Sequence, residues 1–390
     1  MKRIVSATLL FYSPALISTA VEVKVSDRAG LVSALQKAGP GTVIVVAPGN
    51  YEGGLSAAKL AGEKANRIIV KAADPKQPPV FAGGASGIHL SGCSFVELSH
   101  LTFTGATANG VNIDDGKEAN PARGIVLRNL IVTNSGPRGN RDGIKMSGVD
   151  EFTIADCRVE RWGASGSGID MVGCHNGTVE GCVFEHDAAT SMQANGVQTK
   201  GGSSGVTIRQ CRFLNAGGRA VNDGGSTGAA YFRPANPGCE ARDITVEDCY
   251  FTGSLAPVAF VGVDGAQFRH NTIHHPGKWV LRILQENQYP ALAPCRKSVF
   301  SDNLIVFRSS DVSELVNTGA GTEPATFTFA RNAWYCEDNP AATQRRVRLP
   351  SPETDGLYGQ DPKLRDPAAD DFRKVEGSPV KTAGVREKAK

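Results

Sequence analysis

Gly143-Ile144-Lys145-Met146-Ser147-Gly148-Val149-Asp150-Glu151-Phe152-Thr153-Ile154-Ala155-Asp156-Cys157-Arg158-Val159 is the stretch that decides the fold. Apolar residues fall at every second position and glycine or aspartate marks each break, the pattern of short β-strands with one buried face; no helical period runs through it. The phrase Asp156-Cys157 returns along the chain in related forms: Ser99-His100, Arg128-Asn129, Gly181-Cys182, Gln210-Cys211, Asp248-Cys249, His270-Asn271, Asp302-Asn303 and Arg331-Asn332. A polar or small residue precedes Asn, Cys or His each time, and most repeats are in the high twenties of residues apart. A unit of that length with two or three short strands cannot bury its own apolar face, so units stack with like residues above like, roughly 4.8 Å apart. The expected fold is all-β, a single right-handed parallel β-helix. The repeated Asn/Cys/His is expected to point inward at a turn and to hydrogen-bond between coils.

Working outward, Ser26-Asp27 before Leu31, Val32, Leu35 and Ala38 reads as an N-terminal capping helix, and the segment from Asp361-Pro362 to Ser378-Pro379-Val380 is expected to lie along the last coil. Lys2 and Arg3 precede an apolar run that ends Ile17-Ser18-Thr19-Ala20, which reads as a signal peptide over residues 1–20 followed by one domain over 21–390. The expected location is therefore secreted or periplasmic. A net charge of +3 gives no reason to expect nucleic acid or membrane as a partner, and a monomer is expected. Most of the nine cysteines read as packing residues. Cys239 and Cys295, both in long insertions, are left open between a disulfide and two free thiols.

The first strand of each unit aligns on inward Ile88, Val111, Ile144, Ile169, Val197, Val221, Val258 and Leu281. Its alternation then places His89, Asn112, Lys145, Asp170, Gln198, Asn222, Ala259 and Arg282 in one outward column. A second column holds Ser91, Asp114, Ser147, Val172 and Lys200. Insertions at residues 115–123, 223–243 and 285–298 on one side, and 133–141 and 186–195 on the other, wall this polar ladder into a groove suited to a polymer.

The chain here resembles the right-handed β-helix polysaccharide lyases, and the alginate lyase and chondroitinase B family more than the pectate lyases. The architectural likeness runs over most of residues 22–385, including Pro48-Gly49-Asn50-Tyr51 and Asp361-Pro362. The functional likeness is confined to Gly196-Val197-Gln198-Thr199-Lys200, the strand Val206-Thr207-Ile208-Arg209-Gln210-Cys211-Arg212-Phe213 and Ala220-Val221-Asn222. The resemblance implies β-elimination on an anionic, uronic-acid polysaccharide, with Lys200 as base and an arginine of the next coil beside it. The outward position there is Asn222, and Arg219 is the nearest arginine, expected as acid or carboxylate clamp. Lys145 and Asp170 complete the expected catalytic group; Gln198, Asn222, Arg233, Asn112 and Arg282 are the expected binders. The family also implies calcium, for which Asp142, Asp170 and Asp223 are the candidate ligands. Trp162 and Trp279, at the start of groove strands, read either as sugar platforms or as turn filling.

Two other classes compete. Asn140-Arg141-Asp142-Gly143-Ile144 partly resembles the Asn-x-Asp-Gly segment of β-helix polygalacturonases, which would make Asp142 and Asp170 the acid and base of an inverting hydrolase. A non-catalytic carbohydrate-binding or surface solenoid would leave the charged column as an ordinary solvated ladder.

Overall fold

In the computed structural model, which describes residues 21–117, 121–187, 193–287, 289 and 292–386, the chain is a right-handed parallel β-helix. Each coil contributes one strand to each of three long sheets. In the central coils these are Ser167–Val172, His175–Glu180 and Val183–Glu185, followed by Asn195–Lys200, Ser203–Arg209 and Arg212–Leu214. Among the described residues all pairing in the three sheets is parallel, and the ten strands running from Leu55–Ala58 to Val316–Thr318 form the sheet that carries the outward column. The signal-peptide expectation for residues 1–20 lies outside the described residues. No helix among them is long and apolar enough to cross a membrane.

The interior repeats with the coils because parallel strands bring equivalent side chains into contact. Phe184, Phe213 and Phe251 stack with ring centroids 4.9 and 4.7 Å apart, and Phe268 lies 5.3 Å from Phe300. These separations match the strand spacing, so aromatic stacking and backbone pairing are satisfied by one geometry. The helix Arg28–Lys37 starts at Asp27, whose Oδ1 accepts the Gly30 amide at 2.7 Å, and it buries Leu31, Ala34 and Leu35 in the same core as Ile44 and Leu55.

One turn recurs with the same backbone from the coil of His100 to that of Arg331. Its key residue has positive φ, between 53° and 57° for Asp156, Gln210, Asp248, His270, Asp302 and Arg331 and 64° for Gly181, and the next residue points inward. His100 and Asn129 themselves occupy the positive-φ position, at 56° and 51°, so the inward residues of those two coils are Leu101 and Leu130. The expected polar ladder is thus corrected at its start: it begins at Cys157. From there the buried backbone groups are linked coil to coil. The Cys249 amide donates to Asn271 Oδ1 at 2.9 Å, the Asn271 amide to Asn303 Oδ1 at 3.0 Å and the Asn303 amide to Asn332 Oδ1 at 2.9 Å. Asn332 Nδ2 ends the run on Glu353 Oε1 at 2.7 Å. Asn303→Leu strands the Asn271 amide and the Phe268 carbonyl, which accepts from Asn303 Nδ2 at 3.0 Å. The expected loss is about 3 kcal/mol, with a smaller loss for Asn303→Cys, the residue type of earlier rungs. Thermal unfolding of both variants checks it, and an Asn303→Leu chain as stable as the parent would refute it.

All nine cysteines are buried free thiols, which resolves Cys239 and Cys295 against a disulfide; Cys295 Sγ instead donates to the Phe260 carbonyl at 3.4 Å. The segment after Asp361 departs from expectation. It runs back over the third sheet across several coils, with Arg212 donating to the Asp370 carbonyl at 2.6 Å and Val380 and Ala383 packed on Leu304 and Val306. Gly384, Val385 and Arg386 then bond in turn to the Asp302 carbonyl, Thr272 Oγ1 and the Asp248 carboxylate, three successive coils bridged by three residues.

Candidate functional site

The groove sheet keeps the register that alternation implies. Asn112 pairs with Lys145, Lys145 with Asp170, Asp170 with Gln198, Gln198 with Asn222, Asn222 with Ala259 and Ala259 with Arg282. With valine, isoleucine or leucine fixed inside at the preceding position, these side chains have no choice but to stand outward. Lys200 lies two residues beyond Gln198 on the same strand, in the second outward column.

At the centre lies an ionic cluster. Asp170, 1% exposed, takes Lys145 Nζ on Oδ2, while Lys200 Nζ lies 3.3 Å from Oδ1 without the alignment of a hydrogen bond. Lys145 Nζ is also 3.7 Å from Asp142 Oδ2, and Asp142 Oδ1 caps the Ser167 amide at 2.8 Å. Burial and the Asp170 charge push the Asp142 carboxyl up to about 6, against the pull of Lys145 and the Ser167 amide. Burial works against the charge on Lys145, but Asp170 and Asp142 outweigh it and hold that ammonium above the usual lysine value.

Beside the cluster opens a pocket of about 420 Å³ lined by Gln198, Lys200, Arg219, Asn222, Trp279 and Arg282, among others. Lys200 belongs to both. Its Nζ donates to Gln198 Oε1 at 3.2 Å, and Gln198 Nε2 and Asn222 Nδ2 both reach the Gly224 carbonyl, at 3.2 and 3.4 Å. Gly224 has φ of +88°, and a Cβ there would meet the Val261 carbonyl oxygen at 1.8 Å, so only glycine sets this acceptor under the two amides. Arg219 Nη1 donates to Asn222 Oδ1 at 3.1 Å, and its fork closes on both oxygens of Glu286. The Arg282 guanidinium lies 4.3 Å from the Trp279 ring centroid and donates to Asn317 Oδ1 at 2.9 Å; burial, then Arg219, lowers its proton affinity. Lys200, Arg219 and Arg282 thus converge with several amide side chains, and the Glu286 carboxylate opposes them.

Of the residues expected from the sequence, the structure brings Lys145, Asp170, Gln198, Lys200, Arg219, Asn222 and Arg282 into this one region. It does not bring Arg233, whose guanidinium is held by Asp150 Oδ2 at 2.7 Å and the Gly173 carbonyl at 2.6 Å, tying a turn rather than facing the pocket. Asn112 stands in the column three rungs from Gln198 and does not line the pocket. The two tryptophans divide: Trp162 is buried turn filling, its carbonyl bonded to His186, and Trp279 lines the pocket. Asp142 and Asp170 share the Lys145 ammonium. Their nearer oxygens therefore sit less than about 6 Å apart, short of the roughly 6.5–9.5 Å that an inverting acid and base require.

Asp223 is a correction with a plain cause. It follows outward Asn222, so it points into the helix; it is fully buried, with Oδ1 3.4 Å from Thr199 Oγ1 and Oδ2 without a partner. It cannot reach a groove cation. Asp142 and Asp170 are already committed to lysine side chains, so the three expected carboxylates do not form a calcium site together. Burial pushes Asp223 up to about 7. The folded state then holds a proton that the unfolded chain releases near 3.8, the ordinary aspartate value, so this group's contribution falls as pH rises from about 4 to 7. Asp223→Asn is expected to gain on the order of 2–4 kcal/mol at pH 8 and nothing at pH 4. Melting temperatures at the two pH values decide it; an equal change at both would refute the titration.

Glu286 and Glu240 stand outside the residues expected from the sequence. Glu286 meets Arg219 from an insertion. Glu240 is fully buried and accepts from the Gly201 amide at 3.0 Å, the Thr227 amide at 2.8 Å, Thr227 Oγ1 at 2.7 Å and Asn287 Nδ2 at 2.6 Å. Neither belongs to a repeating position, so no periodic signal marks them.

A family model described as a right-handed β-helix region matches residues 86–230. No curated protein sequence matches the chain. Among solved structures, the chain is similar to an alginate lyase from Paenibacillus sp. str. FPU-7, with 16% identity, a TM-score of 0.54, and 78% of this chain and 98% of that one covered. It is also similar to the pectate lyase Pel9A, with 13% identity, a TM-score of 0.56, and 95% and 93% covered. At such identities the likeness is one of backbone path.

Proposed function

We propose that the chain is a polysaccharide lyase that cleaves a uronic-acid polymer by β-elimination in the groove. The observation that carries this is the pocket in which Lys200, Arg219 and Arg282 converge with the amides of Gln198 and Asn222. Elimination removes the proton at C5, next to a carboxylate that resists gaining further negative charge. Cations and amide donors placed at that carboxylate stabilise the charge as it develops. Arg219 suits the role of carboxylate clamp rather than acid, because its fork already grips a carboxylate with two bonds. Arg282 and Asn222 border the same space. Lys200 is the base: its neutral amine takes the C5 proton, the C4–O glycosidic bond breaks, C4 and C5 become doubly bonded, and the leaving oxygen takes a proton from water. Asp170 and Gln198 fix where its Nζ stands.

The fold likeness to an alginate lyase and a pectate lyase agrees with this reading without carrying it. Export belongs to the same proposal, supported by the basic and apolar residues that open the sequence and by a substrate too large to enter a cell. The test is ultraviolet absorbance of products from a panel of alginate, galacturonan, glucuronan and sulfated glycans. New absorbance from an unsaturated sugar end supports the lyase. New reducing ends without absorbance would point to a hydrolase, and binding without either product to a non-catalytic solenoid.

A further inference from the structure

We infer that Glu286 is a specificity-determining residue that rests on Arg219 in the place of a substrate carboxylate, so that a ligand gains the clamp only by bringing a carboxylate of its own. The inference rests on the uronate reading of the pocket and deepens it.

The geometry is that of a bound anion. Glu286 Oε2 accepts from Arg219 Nη1 at 3.2 Å while Oε1 takes Nη2, the paired arrangement by which a guanidinium recognises a carboxylate. Glu286 does not come from the groove sheet. It follows the strand Leu281–Leu284 and reaches the pocket from the exit wall. Its side chain is 38% exposed, so it can swing away without opening the core.

Its placement is nonetheless built. On one side of it the Gln285 side chain accepts the Cys295 amide at 2.9 Å and donates to the Asn287 carbonyl at 3.1 Å. On the other, Asn287 Nδ2 donates to the Thr227 carbonyl at 2.8 Å and to Glu240 Oε1 at 2.6 Å. Glu240 in turn holds the amide of Gly201, the residue after Lys200. One buried carboxylate therefore registers the segment carrying Glu286 against the turn carrying the base.

The consequence is an exchange. A uronate that enters replaces one carboxylate on Arg219 by another and gains its remaining contacts. A neutral sugar either leaves Glu286 in the clamp, narrowing the pocket, or leaves Arg219 unpaired beside Arg282. Glu286 thus lowers affinity for acidic ligands, which must displace it from Arg219, and changes little for a neutral ligand that leaves it in the clamp.

The test is calorimetric titration of the whole chain and of Glu286→Gln with galacturonate, mannuronate and guluronate tetrasaccharides and with the methyl ester of the first. Glu286→Gln is expected to bind the acidic ligand roughly three- to tenfold more tightly, with less than a twofold change for the ester. Unchanged or weaker binding of the acid would overturn the inference and make Glu286 a partner that orients Arg219. An equal gain for acid and ester would overturn it by reducing Glu286 to an obstruction. If the parent chain releases unsaturated product and Glu286→Gln binds no tighter, only the inference falls. If neither chain binds any of the acids, the uronate reading of the pocket falls with it.

Discussion

Lys200→Ala is expected to lower the turnover of unsaturated product by roughly 10³-fold, within the range attributed to a single general base, while substrate affinity changes little. The binding groups Arg219, Asn222 and Arg282 are untouched, and Asp170 keeps its bond to Lys145. Alanine alone would leave the bland alternative standing, since removing a charge from a ladder can also disturb a groove. Lys200→Arg separates the two. Arginine keeps a cation beside Asp170 and can hydrogen-bond to Gln198, but its guanidinium does not give up a proton near neutral pH and so cannot act as the base. Both variants should be inactive, folded and able to bind the polymer, measured by product absorbance and by titration. A Lys200→Arg chain that retained more than roughly a tenth of parental turnover would end the assignment.

Asp170→Asn should produce the largest loss of stability in the groove. Lys145 and Lys200 lean on one carboxylate that is almost wholly buried, and their side chains are only 23% and 17% exposed. Removing that charge leaves Lys200 without its carboxylate and Lys145 with only the longer contact to Asp142 at 3.7 Å. Breaking a buried pair by deleting one partner costs about 3 kcal/mol or more, because the surviving charge stays desolvated and uncompensated. Differential scanning calorimetry is the measurement, with a drop of several degrees in melting temperature expected. A second substitution checks the cause: Lys145→Met in the Asp170→Asn background should recover much of the loss. If the single variant melts within a degree or so of the parent, the cluster is a solvated surface network and not a structural core of the site.

The groove column was legible because period-two alternation leaves little freedom once one inward residue is known, and every rung from Asn112 to Arg282 keeps that register. The same rule applied to Asp223 points it inward, two residues after Val221, so the information needed to remove it from the candidate metal ligands was present in the strand itself. The turn phrase was legible from Cys157 onward. It failed at His100 and Asn129 because a polar residue suits both the positive-φ site and the inward site, and residue type alone does not distinguish them. Arg233, Glu240 and Glu286 were beyond reach for a different reason. Insertions of this kind meet through space, and Glu240 joins Gly201, Thr227 and Asn287 from three separate segments.

A stack of coils is held almost wholly by nearest neighbours, so it should open as a zipper does, coil by coil from a free end. The three residues Gly384, Val385 and Arg386 interrupt that scheme by clasping the coils of Asp302, Thr272 and Asp248 together from outside. Fraying that starts at the last coils cannot pass Asp302 one rung at a time; it must first shed the clasp, after which three coils lose a support at once. Arg282 and Trp279 lie within the clasped span, so the far wall of the pocket is insulated from breathing at that end of the molecule.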